Sequence, residues 1–257
     1  MASPLRLIST DFDGTIHSDF DRPPVSPAFE RSLAAWQARG AKWVINTGRD
    51  HSSLMEALAR ARLTVKPDYL VLVEREIHVR VGERFEPLSH WNERCARDHQ
   101  AIFARIRPEV PGLVSRIRKQ YDANLYEDPW SPLCLLARST LDADSITAFL
   151  ETYCEGVPGL GVMRNDVYAR FYHVDYHKGS ALAEIARLLE VPKSEVFAAG
   201  DHVNDLPMLR NAVAEWLLAP SNAVPDVKAA VRREGGRVSL LQHGHAVAEE
   251  LDRIASQ

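Results

Sequence analysis

The stretch that decides the fold is Leu5-Arg6-Leu7-Ile8-Ser9-Thr10-Asp11-Phe12-Asp13-Gly14-Thr15-Ile16-His17, in which an apolar run ends in two carboxylates and a glycine. If the run is a strand, the i, i+2 spacing places both carboxylates on the same side of its carboxyl end, and Gly14 allows a tight turn past them. Paired carboxylates repel each other unless a cation or a proton lies between them. The stretch therefore indicates either a capped strand-to-turn junction, which Asp and Gly favour, or a small anionic site.

Three later stretches favour the site. They are Ile45-Asn46-Thr47-Gly48-Arg49, His177-Lys178-Gly179 and Gly200-Asp201-His202-Val203-Asn204-Asp205. Each follows or opens onto a regular element, and together they supply a hydroxyl with backbone N–H groups, a single ammonium and a second acidic cluster. One such motif is weak evidence, whereas four in order at these spacings are strong evidence.

With these four motifs the chain resembles the haloacid dehalogenase superfamily, in particular its Cof-like sugar-phosphatase branch. The motifs run from residue 11 to residue 205 and so cover the core of nearly the whole sequence. The resemblance implies an α/β fold, with a Rossmann-like parallel-sheet core and an inserted α/β cap domain. It also implies a Mg²⁺-dependent phosphatase that hydrolyses a small phosphorylated metabolite, a phosphosugar, through an aspartyl-phosphate intermediate.

The same resemblance assigns roles to individual residues. Asp11 is the expected nucleophile, Asp13 the expected general acid and base, and Lys178 the expected catalytic cation. The expected phosphate- and substrate-binding residues are Thr47, Gly48, Arg49 and Asn204. The expected metal ligands are Asp11, Asp13 through its backbone carbonyl, Asp201 and Asp205. Hard oxygen ligands of this kind suit Mg²⁺.

Composition narrows the class of protein. Of the 257 residues, 46% are hydrophobic and 26% are charged, which is ordinary for a globular chain. A net charge of −4 argues against a nucleic-acid partner. No signal sequence or run of about 20 apolar residues is present, so we predict no membrane partner and a cytoplasmic location. The three cysteines do not predict a disulfide framework, and nothing in the sequence indicates the oligomeric state.

Apolar periodicity predicts the domain organisation. Short apolar runs alternate with helical stripes up to about residue 81 and again after Lys178, which is typical of βαβ units and a parallel sheet. Between them the pattern changes to helices, a strand and a hairpin. We therefore predict a core domain of residues 1–81 and 176–257, with a cap domain of residues 82–175.

Two features of the chain bear on the substrate. The predicted hairpin strand Val167 to His173 places Tyr168, Arg170 and Tyr172 on one face, which suits either a sugar or solvent. After the third core strand, where many Cof-like members carry Asn-Gly-Ala, this sequence reads Val73-Glu74-Arg75-Glu76. That departure puts the usual sugar-phosphate preference in question.

Other functions stay open at this point. A phosphomutase has a similar cap, and a non-catalytic sugar-phosphate sensor could use the same residues. A dehalogenase fits less well, because it has no need of Asp13 as an acid. The pairs His173/His177 and His243/His245 could contribute to a zinc site, although their spacing matches no familiar pattern.

Overall fold

The computed structural model describes residues 5–257, and its internal contacts divide the chain into two compact units. The first unit comprises the chain up to Leu88 together with His177–Gln257, and the second is Ser89–Tyr176. The described residues form the strands β1 (Leu7–Thr10), β2 (Lys42–Asn46), β3 (Tyr69–Leu72), β4 (Glu76–Val81), β5 (Arg84–Pro87), β6 (Ala123–Asp128), β7 (Ser131–Ala137), β8 (Leu160–Asn165), β9 (Tyr168–His173), β10 (Val196–Ala199), β11 (Trp216–Ala219) and β12 (Arg237–Val238). The helices are α1 (Pro27–Ala38), α2 (His51–Ala61), α3 (Ser89–Ile106), α4 (Val110–Gln120), α5 (Thr140–Glu155), α6 (Lys178–Leu188), α7 (Pro225–Arg233) and α8 (His243–Ala255).

The first unit is built on one eight-stranded sheet with the order β12-β11-β10-β1-β2-β3-β4-β5. The six strands from β12 to β3 are parallel, and β1 lies between β2 and β10. Every residue of β1 and β10 is buried, as expected for parallel strands that are covered on both faces. The predicted α/β fold with a parallel-sheet core is confirmed.

Sequence signals at the helix starts agree with the structure. Helix α1 begins with Pro27 after Ser26, whose hydroxyl accepts the Ala28 N–H. Helix α2 follows Asp50, whose carboxylate accepts the N–H of Ser53 at 2.8 Å. Each cap satisfies a backbone donor that the helix leaves unpaired. These caps fix where the loops after β1 and β2 end.

The hairpin of β4 and β5 was not predicted. These strands continue the large sheet beyond β3 in the antiparallel sense, which keeps the chain as far as Leu88 in the first unit. The apolar pattern of the sequence predicted this change of domain at residue 82. The strands are only half apolar, because β4 is mostly half-buried and β5 mostly exposed, so they lack the continuous apolar run of the central strands.

The second unit has its own antiparallel sheet, in the order β6-β7-β9-β8, and the helices α3, α4 and α5. Ala169 and Phe171 of β9 belong to its apolar core, together with Leu135 of β7. Since successive strand residues alternate between faces, Tyr168 and Arg170 lie on the opposite face. The predicted hairpin of the insert is present as β8 and β9.

Within residues 5–257, none of the helices has the length and apolarity needed to cross a lipid bilayer.

Candidate active site

The candidate site lies at the carboxyl ends of β1, β2 and β10. Thr10, the last residue of β1, pairs with Ile45 of β2 and Ala199 of β10. Asp11, Thr47 and Asp201 follow these three strands within one or two residues. Because parallel strands end at the same edge of a sheet, the loops that carry the motifs converge there, as in other open α/β folds.

Three carboxylates form a cluster at this edge. One oxygen atom each from Asp11, Asp201 and Asp205 lie within 4.8 Å of one another. Asp205 is held by the backbone N–H groups of Asp201 and His202, which both donate to its Oδ2 at 2.9 Å. The Thr15 hydroxyl donates to Asp201 Oδ1 at 2.7 Å. The cluster is therefore positioned by its own loops.

Lys178 lies against this cluster at the start of α6. Its side chain is fully buried, and its Nζ is 2.7 Å from Asp11 Oδ1 and 2.6 Å from Asp205 Oδ1. Burial alone would lower the pKa of Lys178, but the attraction of these carboxylates outweighs burial and raises the pKa well above its ordinary value. Lys178 is thus a permanent cation within the site.

The backbone fixes the position of Lys178. His177 caps α6 by accepting the N–H groups of Gly179 and Ser180 at 3.1 Å. A Cβ atom on Gly179 would lie 2.1 Å from the carbonyl oxygen of Pro207, so only glycine allows α6 to approach the turn after Asp205 this closely.

The carboxylates outnumber the cations in the cluster, and their pKa values reflect this. Burial raises the pKa of Asp11, attraction by Lys178 partly offsets burial, and repulsion from Asp205 and Asp201 adds to it. Burial, followed by repulsion from Asp205, raises the pKa of Asp201 to about 7. A divalent cation would offset both the burial of these charges and their mutual repulsion. Carboxylate oxygens are the ligands that hard cations prefer. The residues therefore fit a metal ion.

The Asp13 carboxylate is paired with Arg49. Arg49 donates to both of its carboxylate oxygens, with Nε 2.7 Å from Oδ2 and Nη2 2.8 Å from Oδ1. His17 lies with Nδ1 3.5 Å from Oδ1 and is stacked on Phe12. Burial would raise the pKa of Asp13, but the hydrogen bonds from Arg49 and His17 outweigh it and lower the pKa to about 2. In this arrangement Asp13 is ionised.

This pairing bears on two sequence assignments. Arg49 was assigned to phosphate or substrate, and in the structure its guanidinium is paired with the Asp13 carboxylate. Its assignment to phosphate or substrate stays a prediction. The contact of His17 with the Asp13 carboxylate was not predicted, although the position of His17 four residues after Asp13 could have suggested it. The carboxylate of Asp13 is not among the three that could hold a metal ion, and the family resemblance implied a metal contact only for the Asp13 backbone carbonyl.

The remaining predicted phosphate ligands lie beside Glu74, which was not assigned to the site. Thr47 is buried, and its hydroxyl accepts the Arg49 N–H at 3.2 Å. Asn204 donates its side-chain N–H to Glu74 Oε1 at 2.8 Å. Gly48 is next to the same carboxylate, since a Cβ on it would be 3.3 Å from Glu74 Oε1.

Asn204 does not lie in an α-helix. Val203–Asp205 form a single 3-10 turn that is followed by further turns. The Asp205 carboxylate closes this turn by accepting the N–H of His202, and Pro207 lacks an N–H with which to continue a helix. Among residues 5–257, neither histidine pair considered for zinc belongs to a group of three metal-binding side chains.

Comparison with known proteins decides the family. The model of the haloacid dehalogenase-like hydrolases matches residues 115–251, and the model of the sucrose-6F-phosphate phosphohydrolases matches residues 4–152. The chain belongs to the haloacid dehalogenase-like hydrolases. It is a phosphatase of the Cof-like sugar-phosphatase branch, which confirms the family and the enzyme class expected from the four motifs.

Relatives of this hydrolase match it over almost its whole length. YxeH of Bacillus subtilis (strain 168), whose name describes a candidate phosphatase, is 23% identical over 272 residues and covers 95% of this chain and 97% of its own. The sucrose-phosphatase of Synechocystis sp. PCC6803, solved with sucrose and phosphate, has a TM-score of 0.72 at 18% identity and covers 98% of this chain and 99% of its own. A haloacid dehalogenase-like hydrolase from B. subtilis has a TM-score of 0.65 at 20% identity, with 96% and 99% covered. The two solved structures show that the hydrolase shares their fold.

Proposed function

We propose that this phosphatase uses Mg²⁺ to hydrolyse a small phosphorylated metabolite, a sugar phosphate, through a phosphorylated Asp11. The observation that carries the proposal is the fully buried Lys178 between Asp11 and Asp205, with Asp201 completing a group of carboxylates that could hold a metal ion. Hydrolysis of phosphate monoesters depends mainly on positioning and on electrostatic stabilisation of the phosphoryl oxygens. A permanent cation, a metal group and a carboxylate nucleophile in one place supply both.

In the first step, an Asp11 oxygen forms a bond to phosphorus while the bond between phosphorus and the ester oxygen breaks. Asp13 donates a proton to the departing oxygen. Since Arg49 keeps Asp13 ionised, Arg49 has to release Asp13 before it can take up this proton, which comes from solvent in the first turnover and from the hydrolytic water of the preceding turnover thereafter. Lys178 holds Asp11 in place and attracts the phosphoryl oxygens.

In the second step, a water oxygen bonds to phosphorus, Asp13 accepts the proton of that water, and the bond between phosphorus and Asp11 breaks. Inorganic phosphate leaves and Asp11 is regenerated. Thr47 and the N–H of Gly48 would hold the phosphoryl oxygens through both steps. Bound to Asp11, Asp201, Asp205 and the carbonyl of Asp13, Mg²⁺ would neutralise charge on these oxygens.

The sugar-phosphate part of the proposal is supported by the matched sucrose-6F-phosphate phosphohydrolase model and by the fold shared with the sucrose-phosphatase. We also propose that the second unit, Ser89–Tyr176, is the cap domain of this phosphatase and contributes to the choice of leaving group. Tyr168, Arg170 and Tyr172 share one face of β9, on which Arg170 is buried and the tyrosines are half-buried, and we would test them first for that role.

Phosphate release from a panel of phosphorylated metabolites and from p-nitrophenyl phosphate tests the proposal. We expect release in Mg²⁺, none in EDTA, and none from Asp11→Asn, while Asp252→Asn, which alters an exposed carboxylate of α8, keeps wild-type activity. Undiminished turnover in EDTA, or by Asp11→Asn, would contradict the mechanism. A product in which the phosphate has only changed its position on the sugar would indicate a phosphomutase.

A further inference from the structure

A buried amide at the end of β2 is bound to the backbone of Lys178. Asn46 is the last residue of β2 and is fully buried. Its side-chain Nδ2 donates to the carbonyl of Lys178 at 3.0 Å, across 132 positions of the chain. One hydrogen bond therefore joins the strand that leads into the second motif to the first residue of α6.

The packing of the core does not require this amide. The residues of β2 from Trp43 to Ile45 are apolar and buried. In an α-helix the N–H of Leu182 donates to the Lys178 carbonyl, so Asn46 supplies a second donor to an acceptor that α6 already satisfies. Among residues 5–257, no group donates a hydrogen bond to Asn46 Oδ1. A buried acceptor of this kind costs free energy and calls for an explanation, which the stability of the fold does not supply.

The hydrogen bond fixes the Lys178 backbone relative to the loop that follows β2. Thr47 and Gly48, which we propose hold the phosphoryl oxygens, come directly after Asn46. The Lys178 ammonium lies 2.7 Å from Asp11 Oδ1, so it also contacts the proposed nucleophile. A shift of the Lys178 backbone would move the ammonium relative to both segments. The amide therefore joins parts of the chain that have to act on one phosphoryl group.

We infer that Asn46 is a positioning residue, which acts through the Lys178 carbonyl to hold the ammonium where charge develops on the phosphoryl oxygens. The inference rests on the proposed function, because it concerns the reaction of the same site. Charges that are held in place before the reaction stabilise the transition state most effectively. Misplacing a group by about 1 Å can lower a rate about 100-fold. Loss of the amide therefore slows the chemical step and leaves the fold intact.

The hydrolysis of p-nitrophenyl phosphate in Mg²⁺ by Asn46→Val and Asn46→Ala tests this inference. Valine suits a buried strand and has no donor, and alanine removes the donor without any risk of overpacking. In both variants kcat and kcat/KM should fall together by at least about tenfold while KM stays within about threefold, which is the pattern of an interaction made only in the transition state. The Tm should stay within about 6 °C of the wild-type value, because α6 keeps its own hydrogen bonds.

Gln37→Leu is the matched control, because Gln37 of α1 also donates a side-chain N–H to a backbone carbonyl, that of Lys66, at 2.9 Å. Its kcat and KM should equal those of the wild type. A kcat within about threefold of the wild-type value in both Asn46 variants overturns the inference, and so does a higher KM at unchanged kcat. A Tm lowered by more than about 6 °C in both variants would assign the amide to stability instead. These outcomes leave the proposed function intact, whereas a wild-type protein that releases no phosphate from any substrate would overturn the proposed function and this inference with it.

Discussion

Replacing Asp201 by asparagine should stabilise the metal-free protein at alkaline pH while it impairs metal binding. Burial and repulsion from Asp205 raise the pKa of Asp201 to about 7, so the folded chain binds this proton more tightly than the unfolded chain does. The free energy of unfolding therefore falls as the pH rises from about 4 to about 7, and the full destabilisation by the ionised Asp201 is present above pH 7. Asparagine keeps the shape of the side chain without its charge and removes this cost.

The magnitude follows from the two titration ranges. A carboxyl group that titrates near 7 in the folded chain and near 4 in the unfolded chain costs about 4 kcal/mol at pH 8, at about 1.4 kcal/mol for each pH unit between them. Asp201 retains some exposure to solvent, and we therefore expect about half of this value, ~2 kcal/mol. For a chain of this size, that corresponds to a rise in Tm of about 4–8 °C.

Thermal unfolding of Asp201→Asn and of the wild type in EDTA, at pH 8 and at pH 4.5, measures the effect. The variant should be more stable at pH 8 and within about 0.5 kcal/mol of the wild type at pH 4.5, where the carboxyl is protonated in the folded chain. Mg²⁺ at 100 times its Kd should stabilise the wild type by about 2.7 kcal/mol at pH 8 and the variant much less. Equal stability of the two proteins at pH 8, or an equal gain at both pH values, would refute the reasoning.

Three further substitutions probe the same site. Lys178→Met leaves two buried carboxylates without their cation. The free energy of unfolding, measured in urea at pH 8, should therefore fall by about 3–5 kcal/mol. A loss below about 1 kcal/mol would contradict the buried pairing. Gly179→Ala places a methyl group against a backbone carbonyl and should lower the free energy of unfolding by about 1–3 kcal/mol. Gly112→Ala, whose methyl group meets open space in α4, is the control and should leave stability nearly unchanged. Equal effects of the two substitutions would argue against the close contact. In Arg49→Lys, the lysine cannot donate to both oxygens of Asp13 as the guanidinium does. The pKa of the Asp13 carboxyl, about 2 with Arg49 in place, should rise by one pH unit or more in a ¹³C NMR titration. An unchanged pKa would show that Arg49 does not control it.

The sequence predicted those parts of the molecule that depend on local pattern. Buried parallel strands have continuous apolar runs, and the loops that follow them carry the polar motifs, so the fold and the family could be recognised from residues 5–17 and three later stretches. The edge strands β4 and β5 escaped prediction because exposure on one side leaves them without such a run.

The partners of the polar side chains could not be predicted in the same way. Arg49 follows Thr47 and Gly48, which we propose bind phosphate, yet its guanidinium reaches the Asp13 carboxylate in the loop after β1. Asn204 likewise donates to Glu74, a residue 130 positions earlier in the chain. Such pairings depend on the distances between neighbouring loops, which no pattern of residue types along one segment reveals.

The central place of β1 has a consequence for the time at which activity can arise during synthesis. Its two neighbours in the sheet, β2 and β10, lie about 35 and 190 residues downstream of it, and the carboxylates that complete the candidate metal group follow β10. Contacts this distant in sequence form late, and ribosomes add only about 5–20 residues each second. A nascent chain whose residue 205 has not yet emerged from the ribosome therefore has Asp11, the proposed nucleophile, without the full cluster around it. We expect such a chain to be inactive until translation is nearly finished.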